Sequence, residues 1–409
     1  MEHIIVSSIM NYLEENDILT DLQHAFRKYR SCESQLILTL QDFAKGLNDS
    51  EQIDAILLDF SKAFDTVPHE RLLLKLDYYG IRNTTQFWIR DFLSSRTQNV
   101  VLEGKSSSVS QVISGVPQGT VLGPLLFLLY INDLPDCVSS TARLFADDCI
   151  LYRKIKSTED TIALQQDLNN LQEWEQKWLL SFNPDKCETL HITNKRKPIT
   201  STYFIHNKPL SVSETSKYLG ININNKLSWN THIDKITKKA NSTSAFIRRN
   251  LPHAPRNIKK QCYTTFIRPS LEYASTVWDP HTKCNIAKIE KVQRRAARYI
   301  MNDYKRTSSV TDMLNHLSLE PLQSRRNTAK LIVMYKIVHH LISIPPTLLI
   351  PTGTITRGHQ QRFLIPFSRV SVYRYSFFPT AIRLWNNAPP LATTAVSLPA
   401  FKHLISQPM

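Results

Sequence analysis

Two places in this chain put carboxylates where the surrounding residues are apolar. Asp59 follows the run Ala55-Ile-Leu-Leu, and Asp147-Asp148 interrupts the stretch from Leu144 to Tyr152. Burying such groups is costly unless they are paired, hydrogen-bonded or bound to metal. Three carboxylates from two neighbouring strands can bridge two divalent ions, because hard cations such as Mg²⁺ prefer oxygen ligands. Nucleotidyl transfer needs that arrangement: one ion lowers the pKa of an attacking hydroxyl and the other neutralises a departing pyrophosphate. Taken alone, an Asp-Asp pair in a hairpin also fits a solvated turn.

The elements that must hold these residues can be read from the apolar pattern. Leu36, Leu40 and Phe43 recur at helical spacing, and residues 55–60 read as a short buried strand. Leu72, Leu73 and Leu76 predict a helix over 69–79, with Pro68 in its first turn, where a missing N–H is tolerated. Val100 and Leu102, then Val109, Val112 and Ile113, flank Glu103-Gly104-Lys105 and predict a hairpin. Gly123-Pro124 opens a predicted helix to Asp133, and residues 144–152 predict two strands meeting at the acidic turn. Leu164, Leu168, Leu171, Trp174 and Trp178 form one helical stripe. Beyond 224 the pattern is mainly helical, with Ile286, Ile289, Val292 and Ala296 interleaved with Lys288, Lys291, Arg294, Arg295 and Arg298. Residues 344–358 are rich in Pro and Thr and predict an irregular connection to a terminal element containing Trp385. No internal repeat is visible.

A chain of 409 residues is long enough for two or three packed domains. Its charge is divided: residues 1–224 carry 22 Lys and Arg against 28 Asp and Glu, a net of −6, whereas 225–409 carry 28 against 7, a net of +21. The basic half attracts polyanions through counterion release, which points to nucleic acid. A merely soluble basic surface is the other reading of charge alone. Six scattered cysteines show no zinc-type spacing and suit a reducing compartment. The apolar run Leu125–Ile131 is far shorter than the roughly 20 residues that span a bilayer. The chain is therefore expected to be intracellular, in nucleus or cytoplasm, without a membrane partner.

Ala55–His69 (AILLDFSKAFDTVPH), Ser114–Pro124 (SGVPQGTVLGP) and Phe145–Asp148 (FADD) resemble motifs A, B and C of reverse transcriptases from non-LTR retrotransposons, in that order. The resemblance continues in Gln23–Cys32 (QHAFRKYRSC), Asn183–Lys186 (NPDK) and Lys217–Gly220 (KYLG). Arg268–Tyr273 (RPSLEY) and Leu384–Asn387 (LWNN) are similar to the region that follows the polymerase in LINE elements of Jockey/CR1 type. Where that family usually has glycine, this chain has Ala25 and Tyr29, and the family's endonuclease domain and first fingers motif would lie before its first residue. The sequence carries no recognisable endonuclease, RNase H or Cys/His knuckle.

Position by position, the resemblance implies that Asp59, Asp147 and Asp148 hold two Mg²⁺ ions, with Mn²⁺ as a substitute. It implies that Phe64 lies under the incoming sugar and excludes a ribose 2′-hydroxyl, though an apolar context also suits a core phenylalanine. Asp65 is expected to be structural. Gly115, Pro117, Gln118 and Gly119 would contact nucleotide and template, Lys186 would protonate pyrophosphate, and Arg27 would meet a phosphate. Tyr218, Leu219 and Gly220 would support the primer end. Lys186 also reads as a surface lysine, Arg27 as a solvent-exposed arginine and Tyr218 as a packing residue. Lys288, Lys291, Arg294, Arg295 and Arg298 read from their spacing as a nucleic-acid-binding face or as a solvated one.

The implied fold is α+β, a right-hand polymerase: fingers and palm over 1–224, a helical thumb-like region over 225–305, and a basic C-terminal region over 306–409. The implied activity is RNA-directed DNA synthesis from dNTPs on an RNA template and a DNA primer or target. The alternative is a catalytically inactive relic that still binds nucleic acid.

Overall fold

The computed structural model describes residues 1–353 and 359–406, which fall into two compact units. The first comprises Met1–Gln35, Glu51–His191 and Lys195–Glu214. The second comprises Leu36–Ser50, Ile192–Asn194 and the described residues from Thr215 on.

After α1 (Glu2–Glu15) and α2 (Cys32–Asn48) comes β1 (Gln52–Leu58), which ends one residue before Asp59. The short α3 (Ala63–Thr66), α4 (His69–Tyr78) and α5 (Asn83–Leu93) follow. Pro68 is the N-cap of α4 rather than part of its first turn. The predicted hairpin is two nested ribbons made from β2 (Thr97–Gln98), β3 (Val101–Leu102), β4 (Lys105–Ser106) and β5 (Ser110–Gln111). In these, β3 pairs with β4 and β2 with β5. α6 (Leu122–Ile131) is apolar all round and is correspondingly buried on almost every side.

The acidic turn joins β6 (Thr141–Phe145) to β7 (Asp148–Ile155), and α7 (Thr158–Trp178) buries Leu164, Leu168, Leu171 and Trp174 as the stripe predicts. A capping box of Ser157 and Asp160 starts α7 by satisfying N–H groups the helix cannot. Then come β8 (Glu188–Ile192), β9 (Phe204–Ile205), β10 (Lys208–Pro209) and β11 (Ser211–Val212). Five strands form one sheet in the order β11-β8-β1-β7-β6, with β1 and β6 both antiparallel to β7. The apolar core of the unit runs through α6, α7 and the sheet. Inside it lies a lysine: Lys75 Nζ sits 2.5 Å from Asp133 Oδ1 and 3.9 Å from the centre of the Trp178 ring. Burial pushes its pKa down to about 8, against the pull of Asp133.

The second unit takes in most of α2, and its main stretch starts with the hairpin β12 (Thr215–Tyr218) and β13 (Ile221–Asn224). Helices α8 (Asn230–Asn250), α9 (Arg256–Cys262), α10 (Arg268–Glu272), α11 (Ser275–Trp278), α12 (Lys283–Met301), α13 (Val310–His316) and α14 (Leu322–Val338) follow. A single π turn over Tyr263–Ile267 joins α9 to α10. Residues 344–353 hold a 3-10 turn at Pro346–Leu348 and an isolated β-bridge from Pro351 to Phe363, and residues 354–358 of the expected connection lie outside the described residues. The terminal helices are α15 (Ser371–Arg374), α16 (Phe377–Asn386), α17 (Pro390–Thr393) and α18 (Leu398–Ile405). Trp278 and Trp385 are fully buried, and Asp279 pairs with Arg326 and Lys330, each at 2.6 Å. These cations are buried with their counterion, the condition under which such charges are tolerated.

Candidate active site

Register brings the acidic positions together. Leu58 stands opposite Cys149 in the β1/β7 ladder, so the next step places Asp59 across from Asp148. Phe145 pairs with Asp148, which leaves Ala146 and Asp147 as a two-residue turn. Ala146 has φ +53°, a left-handed conformation that costs about 1 kcal/mol or more for a residue with a Cβ. The surroundings hold it there. The buried Gln23 accepts the Ala146 N–H at 3.0 Å and the Ala25 N–H at 2.9 Å through Oε1, and backbone bonds tie Leu144 to Leu22 and His24. Gln23 is thus a positioning residue that spacing could not reveal, although it opens the QHAFRKYRSC string.

Asp59 is fixed from the other side. Asn183 N–H donates to Asp59 O at 2.7 Å, Asp59 N–H donates to Cys187 Sγ at 3.4 Å, and Phe60 stacks on Phe182 at 4.4 Å. Burial pushes the Cys187 thiol up to about 11, so at neutral pH it meets Asp59 as an uncharged group. Lys186 Nζ lies 3.3 Å from Asp59 Oδ2, an oxygen that is buried yet accepts no hydrogen bond.

The Ser114–Pro124 loop is stitched to the segment that carries Phe64. Gly115 N–H donates to Val67 O at 2.8 Å and Val116 N–H to Phe64 O at 2.7 Å. His69 Nε2 donates to Gly115 O at 2.8 Å. Gly115 has φ +91°, and a Cβ there would lie 2.7 Å from Asp65 O, so only glycine permits this approach. The Asp65 carboxylate takes a hydrogen bond from Gln118 Nε2 at 2.8 Å. Gln118 and Gly119 are exposed, Pro117 is half-buried, and Phe64 stacks on Phe127 at 4.3 Å. Glu2 Oε2 accepts the N–H groups of Val121 and Leu122 and so caps α6, a contact far too distant in sequence to foresee.

Arg27 makes a two-point contact with Glu14 (3.0 and 2.7 Å) and donates to Leu19 O and Thr20 O. Its side chain is 5% exposed, so its donors are taken up within the fold. Tyr29, at one of the positions where the resemblance implies glycine, has φ +61°, and Ala25 is fully buried. Tyr218 and Leu219 are buried, and the hairpin turn of Leu219 (φ +42°) and Gly220 (φ +82°) lies in the second unit. Positive φ at both central residues marks a type I′ turn. On α12, Ile289, Val292 and Ala296 are buried, while Lys288, Lys291, Arg294 and Arg295 are exposed and Arg298 half-exposed. Lys288 pairs with Asp234 at 2.8 Å, Arg295 donates to Asn241 Oδ1, and Arg298 donates to Asp303 O and Lys305 O. Among the described residues, the side chains of Lys291 and Arg294 have no hydrogen-bond or ion-pair partner.

Among the described residues no three His, Cys, Asp or Glu side chains form a group that could hold a metal ion. The donor chemistry nevertheless fits one: carboxylates stand at one end of the sheet, and the buried Asp59 Oδ2 accepts no hydrogen bond. Hard divalent cations favour such oxygens. A sheet that presents aspartates at the end of one strand and in the adjoining hairpin, over a helical layer, is the palm of a right-hand polymerase.

Sequence comparison gives the family. Residues 1–223 match the family described as reverse transcriptase (RNA-dependent DNA polymerase), and the chain belongs to it. The chain is 29% identical over 314 residues to the RNA-directed DNA polymerase from mobile element jockey of Drosophila funebris, covering 73% of this chain and 34% of that protein. It is 27% identical over 351 residues to a probable RNA-directed DNA polymerase from transposon BS of Drosophila melanogaster, covering 80% of this chain and 38% of the relative. It thus spans little more than a third of the length of these curated relatives. Among solved structures, apo telomerase from Candida tropicalis aligns with a TM-score of 0.43 at 12% identity, over 82% of this chain and 58% of that one. The reverse transcriptase family works with divalent metal ions.

Proposed function

We propose that the chain is the RNA-directed DNA polymerase of a non-LTR retrotransposon, joining dNTPs to a primer 3′-hydroxyl on an RNA template. The observation that carries this reading is the register that sets Asp59 opposite Asp148 beside the strained turn bearing Asp147. Asp59, Asp147 and Asp148 would hold two Mg²⁺ ions, or Mn²⁺ in their place. Bound there, the metal supplies charge neutralisation for the attacking hydroxyl and the pyrophosphate. Lys186, whose Nζ lies 3.3 Å from Asp59 Oδ2, would give a proton to the leaving group. Gln118, steered by Asp65, would contact the nucleotide or template, and the Tyr218–Gly220 turn would support the primer. Six free cysteines suit action inside the cell, in nucleus or cytoplasm. No helix among the described residues is long and apolar enough to cross a membrane, and no observation favours the inactive alternative. Extension of a DNA primer on a homopolymer RNA template, with and without Mg²⁺, tests the proposal; no Mg²⁺-dependent product would refute it.

Phe64→Val is expected to admit ribonucleotides more readily, because the ring that would meet a 2′-hydroxyl is gone. The same ring stacks on Phe127, so truncation also leaves a cavity and lowers stability by about 1–3 kcal/mol. Single-nucleotide incorporation compares dNTP with rNTP. An active variant with unchanged sugar discrimination would leave Phe64 a packing residue only.

Replacing Lys291, Arg294 and Arg295 together with Gln is expected to weaken RNA binding and flatten its salt dependence. Each lost single-strand phosphate contact should remove up to ~0.7 from the log–log slope. Extension at saturating template should continue, since no proposed metal ligand is altered. Titrations at several salt concentrations decide it, and an unchanged slope would make this a solubilising face.

A further inference from the structure

Where α8 and α12 end, Arg248, Arg249, Lys259, Tyr299, Asn302 and Tyr304 surround a cavity of about 400 Å³. Lys259 reaches it from α9 although it is only 5% exposed, and its ammonium lies 4.8 Å from the centre of the Tyr299 ring. The Arg248 guanidinium lies 5.8 Å from the centre of the Tyr304 ring, which is 52% exposed. Among the described residues none of these three cations forms an ion pair, and no Asp or Glu lines the cavity. The carboxylate of neighbouring Asp303 instead accepts the Lys305 N–H at 3.0 Å.

Three cations converge on this cavity, and with no carboxylate in its lining they repel one another. Arg248 and Arg249 belong to the last turn of α8, where cations complement the helix dipole. Lys259 likewise stands in the last turn of α9, but its side chain is turned inward to the cavity rather than out to solvent. An anion in the cavity would offset all three charges, and a ring open to solvent beside it is the platform that unpaired bases use.

We propose that this cavity holds one unpaired nucleotide of an RNA strand, its phosphate between Lys259, Arg248 and Arg249 and its base against Tyr304. The idea rests on the nucleic-acid reading above. Single strands can splay a base onto an aromatic ring, whereas bases in a duplex stay stacked, so the site should favour single strands.

The test is binding of a fluorescent oligo(U) and of an RNA duplex to the full chain. Tyr304→Ala and Arg249→Gln alter exposed side chains and should leave the fold intact. Tyr304→Ala is expected to weaken oligo(U) binding roughly fivefold or more, with duplex affinity unchanged. Arg249→Gln and Lys259→Met should each lower the oligo(U) salt slope by ~0.7; if Lys259→Met fails to fold, the other two variants decide. Unchanged oligo(U) binding overturns the proposal. So does equal weakening for oligo(U) and duplex, which marks a generic basic surface, or inorganic phosphate binding as tightly as the oligonucleotide, which marks a free-anion site. Primer extension by the same variants at saturating template should match the unaltered chain. Inactive protein that still loses oligo(U) binding through Tyr304→Ala would refute the polymerase reading while supporting this one.

Discussion

Asn in place of Asp59 or of Asp147 is expected to abolish primer extension while leaving RNA affinity nearly unchanged. Asn keeps the size of the side chain and one oxygen but removes the negative charge that a shared pair of cations needs. The loss should far exceed tenfold, and tenfold alone corresponds to ~1.4 kcal/mol of barrier. Asp59 is the sharper case, because its buried Oδ2 accepts no hydrogen bond and stands 3.3 Å from the Lys186 ammonium. Single-turnover extension beside an RNA-binding titration separates chemistry from binding. Either variant extending primers at the unaltered rate would sink the metal assignment.

Gly115→Ala is expected to be nearly as damaging, by a different route. The new methyl carbon would stand 2.7 Å from Asp65 O and 2.8 Å from Asp65 Cα, with the backbone at φ +91°. Relief requires moving the loop away from the Phe64–Val67 segment and breaking its hydrogen bonds, at a stability cost of about 1–3 kcal/mol. A shift near 1 Å in a positioning loop can cost on the order of 10²-fold in rate. Gly119→Ala is the control: φ is also positive, at +80°, but a Cβ there meets nothing within 4 Å. Thermal unfolding and extension rates of the two variants should therefore diverge, with Gly115→Ala far worse. Equal behaviour would mean that the close approach to Asp65 has no functional weight.

Much of this was legible in the sequence because it depends on local period and residue type. The apolar runs that Asp59 and Asp147-Asp148 interrupt, the stripe from Leu164 to Trp174, and the apolar face of α12 all follow from residue type and spacing along one element. The order of the three motifs identified the family before any geometry was known, and the family match over residues 1–223 agrees. Local pattern also names the basic positions of α12, but not which of them are already paired. Lys288 with Asp234 and Arg298 with the 303–305 loop involve partners that no spacing rule selects.

Tertiary structure alone decided the rest, since a long-range partner is chosen by shape and burial in three dimensions. Arg27 reads as a phosphate contact in a linear motif, yet it is taken up by Glu14 and two backbone carbonyls. Lys75 stands beside the leucines of α4 with nothing in the local pattern to name a partner, and the fold encloses it with Asp133 among Tyr130, Trp174 and Trp178. Gln23 holds the Ala146 turn from more than a hundred residues away, and residues 36–50 are counted with a unit that otherwise begins mostly at Thr215. The sequence by itself determined which residues carry charge, which faces are apolar and which family the chain joins, because those are properties of residue type and period. Only the folded chain determined which carboxylates face one another and which cations remain available, because register and burial are set by every element at once.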